Sequence, residues 1–411
     1  MAASMESLVA NALLSLLGSV LTAKLIREFF PVFLRRNLYG MDRCKKEPTK
    51  VPEPMGVVVG TVYLVIMFLF IPVPFYGWLS MSAAEAQFPY HYFVEFLSGL
   101  MAICAMILLG FADDIFDLRW RHKLWLPTLA SLPLLMVYAA NCNSTTILLP
   151  RQITALTGLA DVNIGLLYYV YMGMLAVFCT NAINIFAGVN GLEAGQSLII
   201  AASILIYNAV QLYRADSQAW QMLLSIYFLL PYVSTTAVLF SFNWYPSQVF
   251  VGDTFCYWSG MTLAVAGIQG RFSKTLLLFF LPQVANFLFS LPQLFHLVPC
   301  PRHRMPRYDA ETDTVCASWS EFKASELKWP GRLIVSLLSR LGFVAVEEEN
   351  RDGEPWLRVT NFTLIILTLK LLGPMHEEKL AKVLLLLQLL SSCLAFFVRF
   401  WMAGLFYHVV Q

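Results

Sequence analysis

Ten apolar runs, each about as long as a membrane-crossing helix, constrain everything else in this 411-residue chain. They lie near residues 8–30, 55–76, 94–112, 124–140, 163–183, 193–213, 221–241, 249–270, 275–297 and 383–407. A helix of roughly 20 apolar residues spans the hydrocarbon layer. In that layer only helices and closed barrels satisfy every backbone N–H and C=O, and runs this long without alternation predict helices. Charged residues are 13% of the chain, about half the ~25% of a soluble domain. With a mean hydropathy of +0.65, this excludes a disordered chain, a coiled coil and a collagen-like fibre. The net charge of +2 gives no global reason to expect a nucleic-acid partner. The eight cysteines are scattered, with no CxxC pair and no histidine at ligand spacing, so they read as apolar fillers and free thiols. The expected fold is an all-α polytopic membrane protein of about ten transmembrane helices, with a small mixed cytosolic insertion before the last.

Loop charges orient the bundle. The first loop carries Arg35, Arg36, Arg43, Lys45, Lys46 and Lys50; the third carries Arg119, Arg121 and Lys123; the ninth begins with Arg302, Arg304 and Arg307. Even-numbered loops are poor in basic residues, the eighth with Arg271 and Lys274 being the exception. The positive-inside rule then puts the odd loops in the cytosol and both termini on the luminal side. The first run exceeds signal-peptide length and is expected to be retained. Three regions follow: 1–298 with nine helices and their cytosolic catalytic loops, a mixed-charge cytosolic insertion at 299–361, and 362–411 with an interfacial stretch at 362–373 and the last span. No internal repeat is evident, which counts against an inverted-repeat transporter. Asn143-Ser144-Thr145 falls in a luminal loop, so a glycan is expected on Asn143 and none at the cytosolic Asn361-Phe362-Thr363.

Four polar clusters sit at the expected cytosolic ends. Asp113, Asp114 and Asp117 precede Arg119, Arg121, His122 and Lys123; on one helix Asp113 and Asp117 share a face and Asp114 turns away. Asn181, Asn184 and Asn190, with Gly188, Gly191 and Gly195, interrupt the fifth run. Gly252-Asp253 enters the eighth, and Pro301-Arg302-His303-Arg304 follows the ninth. Each has a plain alternative: a solvated helix end, a packing turn, a helix cap, a headgroup contact. Together, carboxylates and amides suit Mg²⁺, and Lys and Arg beside them suit a diphosphate. On these residues alone a Mg²⁺-dependent enzyme for a phosphorylated substrate and a transporter both stand.

The strings FADDIFDLRWRHK, FCTNAINIFAGVNGLEAGQS, NWYPSQVFVGDTFCY and PCPRHRMPR closely resemble those of the polyprenyl-phosphate sugar-1-phosphate transferase family, in its eukaryotic, dolichyl-phosphate branch. The similarity covers nearly the whole chain. It implies transfer of GlcNAc-1-phosphate from UDP-GlcNAc to dolichyl phosphate at the cytosolic face of the endoplasmic reticulum membrane, giving GlcNAc-diphosphodolichol and UMP, by a protein that pairs as a homodimer. Matched by motif, Asp113, Asp114 and Lys123 are the implied catalytic residues, and Asn184 and Asp253 the implied Mg²⁺ ligands. Lys123 with Phe178, Cys179, Thr180, Asn181 and Asn184 is the implied lipid-phosphate site. Asn190 and Phe250 would sit near uridine, Arg302, His303 and Arg304 near the sugar and diphosphate, and Arg43 and Glu53 would complete the nucleotide pocket. Position 117 carries Asp where the family pattern has Asn, a carboxylate that either raises the pKa of its neighbours or faces solvent. The alternatives are a bacterial-type transferase using undecaprenyl phosphate and a nucleotide-sugar transporter. The insertion and the Arg302-His303-Arg304 element favour the eukaryotic branch, and charges gathered at one face weigh against transport.

Overall fold

The computed structural model describes residues 2–79, 88–119, 122–141, 145–214, 219–301, 304–351 and 354–407. Helix α1 (Ala2–Arg35) leads into a hairpin of β1 (Tyr39–Asp42) and β2 (Thr49–Pro52), then α2 (Gly56–Phe70) and the short α3 (Tyr76–Leu79). α4 (Tyr90–Phe116) and α5 (His122–Asn141) follow, and then a small paired unit of β3 (Thr146–Leu148), α6 (Arg151–Thr157) and β4 (Asp161–Asn163). α7 (Leu166–Ile185), α8 (Leu192–Arg214), α9 (Ala219–Asn243) and α10 (Gly252–Gln269) complete the central bundle. α11 (Ser273–Phe279) and α12 (Leu281–Leu294) are two halves bent by 75°. The insertion holds a hairpin of β5 (Arg307–Asp309) and β6 (Thr314–Cys316), then β7 (Trp319–Lys323), α13 (Trp329–Arg340), β8 (Val346–Arg351) and β9 (Glu354–Thr360), whose antiparallel sheet has the order β7-β9-β8. α14 (Leu364–Leu372), α15 (Glu377–Phe397) and α16 (Ala403–Phe406) close the chain.

Among the described residues eight helices are long and apolar enough to cross a membrane, or nine with α11 and α12 taken as one bent span. Each of the ten expected runs has its helix. α10 falls outside the count for a physical reason: from Thr254 to Gln269 every residue is buried, against α4, α7, α9 and α2. A helix that meets protein on all sides has no need of lipid-grade apolarity. Two glycines let its neighbours close in. A Cβ on Gly110 of α4 would lie 2.6 Å from the Thr254 Cα, and one on Gly260 of α10 would lie 2.3 Å from the Cys179 carbonyl oxygen.

A second apolar cluster joins Cys44, Phe186 and Leu192 to Ile366 of α14 and Leu384 of α15, which docks the end of the chain beneath the polar clusters. Asn361 is buried, its Oδ1 accepting from Gln293 Nε2 (3.1 Å) and Ser320 Oγ (2.5 Å) while its Nδ2 donates to Ser318 Oγ (2.8 Å). In the folded protein that amide is closed to a glycosylating enzyme. Asn143 lies outside the described residues.

Candidate active site

At one end of the bundle the sequence clusters converge. Asp113 is buried on the last turn of α4, and its Oδ2 lies 2.8 Å from the Lys123 ammonium at the start of α5. The same Nζ is 3.0 Å from Asp253 Oδ2. Lys123 is thus a cation bridging two carboxylates, the arrangement that offsets the cost of half-burying three charges together. Asp253 Oδ1 accepts from Asn184 Nδ2 at 2.6 Å, tying α7 to α10, and Asn181 Nδ2 donates to the Lys123 carbonyl at 3.2 Å.

Asp114 has a different job from Asp113. Its Oδ1 accepts the backbone N–H of Asp253 at 2.7 Å, and its Oδ2 accepts the backbone N–H of Thr254 at 2.8 Å together with the Thr254 hydroxyl. The first N–H groups of a helix have no intrahelical partner, so Asp114 caps α10 from another helix. The expectation that Asp117 shares a face with Asp113 fails. α4 ends at Phe116, and Asp117 takes the left-handed conformation of a C-cap (φ 47°) and is exposed.

Beside this group opens a cleft of ≈ 350 Å³. Of the expected residues, Arg43, Glu53, Asn184, Asn190, Phe250 and Asp253 line it. Asn190 is held from two directions. Its backbone N–H donates to Glu377 Oε1 (2.9 Å), and its Nδ2 donates to Asp42 Oδ2 (3.0 Å). A carboxylate only accepts, so the Asn190 amide is fixed with nitrogen toward Asp42 and oxygen away from it. Lys45 links the two carboxylates, 2.6 Å from Glu377 Oε2 and 3.2 Å from Asp42 Oδ2. Burial works to lower the Lys45 pKa, but the hydrogen bond and charge of Glu377, with Asp42, raise it above its usual value. The Cys44 thiol is pushed up to about 12 by burial and by the charges of Glu377 and Asp42. Glu53 is raised from 4.5 to about 7 by burial, then by the negative charges of Asp253 and Glu193.

Other expected residues lie elsewhere. Cys179 and Thr180 are fully buried where α7 packs on α10, the Thr180 hydroxyl donating to the Val177 carbonyl at 2.9 Å, so their side chains serve packing. Phe178 rests against the rings of Phe280 and Phe287. Arg304 immediately precedes Met305, which lines the cleft; its Nη1 is buried with no hydrogen-bond partner among the described residues. Arg302 and His303 lie outside the described residues.

Asp42, Lys45, Glu193 and Glu377 were not expected at the site. Glu193 Oε1 accepts the Gly188 N–H (2.9 Å) and so holds the turn between α7 and α8. That turn is also anchored from the bundle interior. Gln196 Nε2 donates to the Phe186 carbonyl (2.8 Å), and Gln283 Nε2 donates to both Gln196 Oε1 and Gln388 Oε1. For Glu377 the available signal was a charged pair opening an apolar run; Asp42 and Lys45 carried none beyond loop charge.

Residues 96–271 match the family model described as glycosyl transferase family 4. The chain is 42% identical over 417 residues to the UDP-N-acetylglucosamine–dolichyl-phosphate N-acetylglucosaminephosphotransferase of Schizosaccharomyces pombe, covering 97% of this chain and 93% of that one. Proteins of the same description from Saccharomyces cerevisiae (38% over 416 residues, 96% and 91% covered) and Dictyostelium discoideum (40% over 415 residues, 96% and 89%) are similar along the same length. Identity at this level along almost the entire chain, bundle and insertion alike, means that the chain belongs to the UDP-N-acetylglucosamine–dolichyl-phosphate N-acetylglucosaminephosphotransferase family.

Proposed function

We propose that this protein transfers GlcNAc-1-phosphate from UDP-GlcNAc to dolichyl phosphate, releasing UMP and forming GlcNAc-diphosphodolichol, with Mg²⁺ as cofactor, in the endoplasmic reticulum membrane. The site faces the cytosol and both termini are luminal. The observation that carries the reading is the Asp113–Lys123–Asp253 bridge set beside the cleft at one end of the bundle.

An oxygen set of one carboxylate and one amide, with further carboxylates behind it, matches what Mg²⁺ takes from a protein when substrate phosphates supply the rest. Asp253 and Asn184 would hold it, and the chemistry it supplies when bound is neutralisation of the diphosphate charge. The chain's own residues do the rest. Lys123, positioned by Asp113 and by Asn181 under its carbonyl, offers a fixed cation to the acceptor phosphate. Asp114 fixes the first turn of α10 and hence Asp253. Asn190 presents an amide acceptor to the nucleotide base, and Arg304 a free donor to the sugar-phosphate end. In-line displacement at phosphorus needs positioning and charge neutralisation more than covalent help.

The test is UMP release from UDP-GlcNAc by the purified full-length protein, with and without Mg²⁺, and with dolichyl or undecaprenyl phosphate as acceptor. Release that depends on dolichyl phosphate and on Mg²⁺ is expected. Uptake of nucleotide sugar without UMP formation overturns the reading.

A further inference from the structure

Within the insertion, α13 carries an apolar stripe that no described residue of the chain covers. Trp329, Leu333, Leu337 and Leu341 are 77%, 63%, 55% and 58% exposed, and a spacing of four sets them along one side of the helix. The opposite face is spoken for, since Gly331 and Val335 are buried and Ile334 and Leu338 pack toward Val298, Phe322 and Phe362. Between these faces, Arg332, Ser336 and Ser339 border a polar groove with Glu348 and Glu349 of β8. The helix therefore has a core side, a water side and a bare apolar side. A bare stripe of four large side chains is more than a water-facing helix ordinarily shows.

The level at which α13 sits identifies the occupant. A Cβ on Gly331 would lie 2.2 Å from the Leu297 carbonyl, so the helix begins against the chain as it leaves α12. Its far end is also tied to the bundle: the Phe343 ring is 6.5 Å from that of Phe289 in α12, and Lys370 of α14 donates to the Gly342 carbonyl. α12 exposes Leu288, with Phe295 exposed just after its end, and α14 exposes Leu371 and Leu372. The stripe continues the lipid-facing surface of a spanning segment. Lys328 and Arg340 bracket it, as cations do where a helix lies among phosphate headgroups, and Trp329 suits the same layer.

We propose that α13 is an in-plane membrane helix that seats Trp329, Leu333, Leu337 and Leu341 in the interfacial layer of the bilayer leaflet at the site-bearing end. The insertion is thereby held to the lipid surface from which the second substrate must come. The surface assignment stands on the spanning helices alone and does not depend on the reaction proposed above.

The experiment is photo-crosslinking of the full-length protein in phosphatidylcholine nanodiscs. A benzophenone amino acid placed at Leu333 or Leu337 should form phospholipid adducts in several-fold excess over the same group at Ser339. In parallel, the unsubstituted protein in nanodiscs containing a diazirine-tailed phosphatidylcholine should carry lipid on the 329–343 peptide, which keeps the test valid if a variant misfolds. A protein–protein adduct at Leu337 would mean that a second chain covers the stripe, and the proposal would be wrong. An unlabelled 329–343 peptide beside labelled spanning peptides would overturn it equally.

Discussion

Asp114 accepts the backbone N–H of Asp253 at 2.7 Å, so a carboxylate on α4 sets where the first turn of α10 begins. An amide has one acceptor oxygen where the carboxylate has two. Asp114→Asn should therefore displace Asp253, lose ~1 kcal/mol of stability with the cap, and lower activity per folded molecule by about 10²-fold. Asp113→Asn should be at least as impaired, through Lys123. Dolichyl phosphate, with a second pKa near 6, is already the dianionic nucleophile at neutral pH and has little need of a general base. The measurement is a pH–rate profile of each variant against wild type at saturating Mg²⁺. A deficit that stays constant from about pH 6 to about pH 8.5 supports positioning, and one that closes as the acceptor phosphate ionises supports a base.

Removing either proposed oxygen donor should be harsher. Asp253→Ala and Asn184→Ala should reduce UMP formation by more than about 10²-fold, and chelation of wild type should do the same reversibly, with Mn²⁺ or Mg²⁺ restoring it. Asp253→Ala should also loosen Lys123, visible as a lower melting temperature even in chelator. Activity within about tenfold of wild type, roughly 1.4 kcal/mol in the barrier, would remove that residue from the metal assignment.

Glu377→Gln breaks the pair with Lys45 and weakens the grip on the Asn190 backbone without touching the Asp113–Lys123–Asp253 bridge. A charged hydrogen bond of ~1.5–3 kcal/mol predicts a KM for UDP-GlcNAc raised by about 10- to 100-fold with kcat little changed. Because Lys45 also pairs with Asp42, which holds the Asn190 side-chain amide, the preference for UDP-GlcNAc over CDP-GlcNAc should narrow as well. Steady-state kinetics with both donors checks the split. An unchanged KM would leave Glu377 as a packing residue.

Glu53 gives a pH dependence of stability. Its folded pKa of about 7 lies above the ordinary 4.5, so the stabilising share present at low pH is lost as pH rises from about 4.5 through about 7. Glu53→Gln removes that loss. In chelator and without nucleotide, the variant's stability, followed as melting temperature, should gain on wild type between about pH 5 and about pH 8, by an amount on the order of 3 kcal/mol at most. Differential scanning fluorimetry across that range would show a flat difference if the carboxylate is ordinary.

Much of the fold was legible because lipid leaves so few options. Ten runs gave ten helices, with α11 and α12 as the bent one. The site was legible in part because motif strings carry chemistry at fixed spacing: Asp113, Lys123, Asn184 and Asp253 do meet. Spacing turned Asp114 away from Asp113 but could not assign their different roles, since those depend on which helix end each one faces. Nor could it keep Asp117 off the face of Asp113, because nothing local announced that α4 stops at Phe116. Glu377 and Asp42 were hidden for another reason. They are brought to Asn190 by packing between segments 148 and 187 residues away, and no local pattern encodes that.

The burial of α10 bears on how the protein is made. The helix that carries Asp253 is not among the eight that lipid alone would accept, yet its main packing partners α2, α4, α7 and α9 all precede it in the chain. During synthesis these partners emerge before it, and its insertion is expected to depend on docking against them. With a glycosylation tag after residue 270, α10 grafted alone into a neutral reporter should fail to enter the membrane, while the same segment behind residues 1–251 should enter. Entry of the isolated segment would show that lipid suffices. Substituting Gly110, where a Cβ would meet Thr254, should then appear as a defect of biogenesis, with molecules lost before any of them is ever assayed as an enzyme.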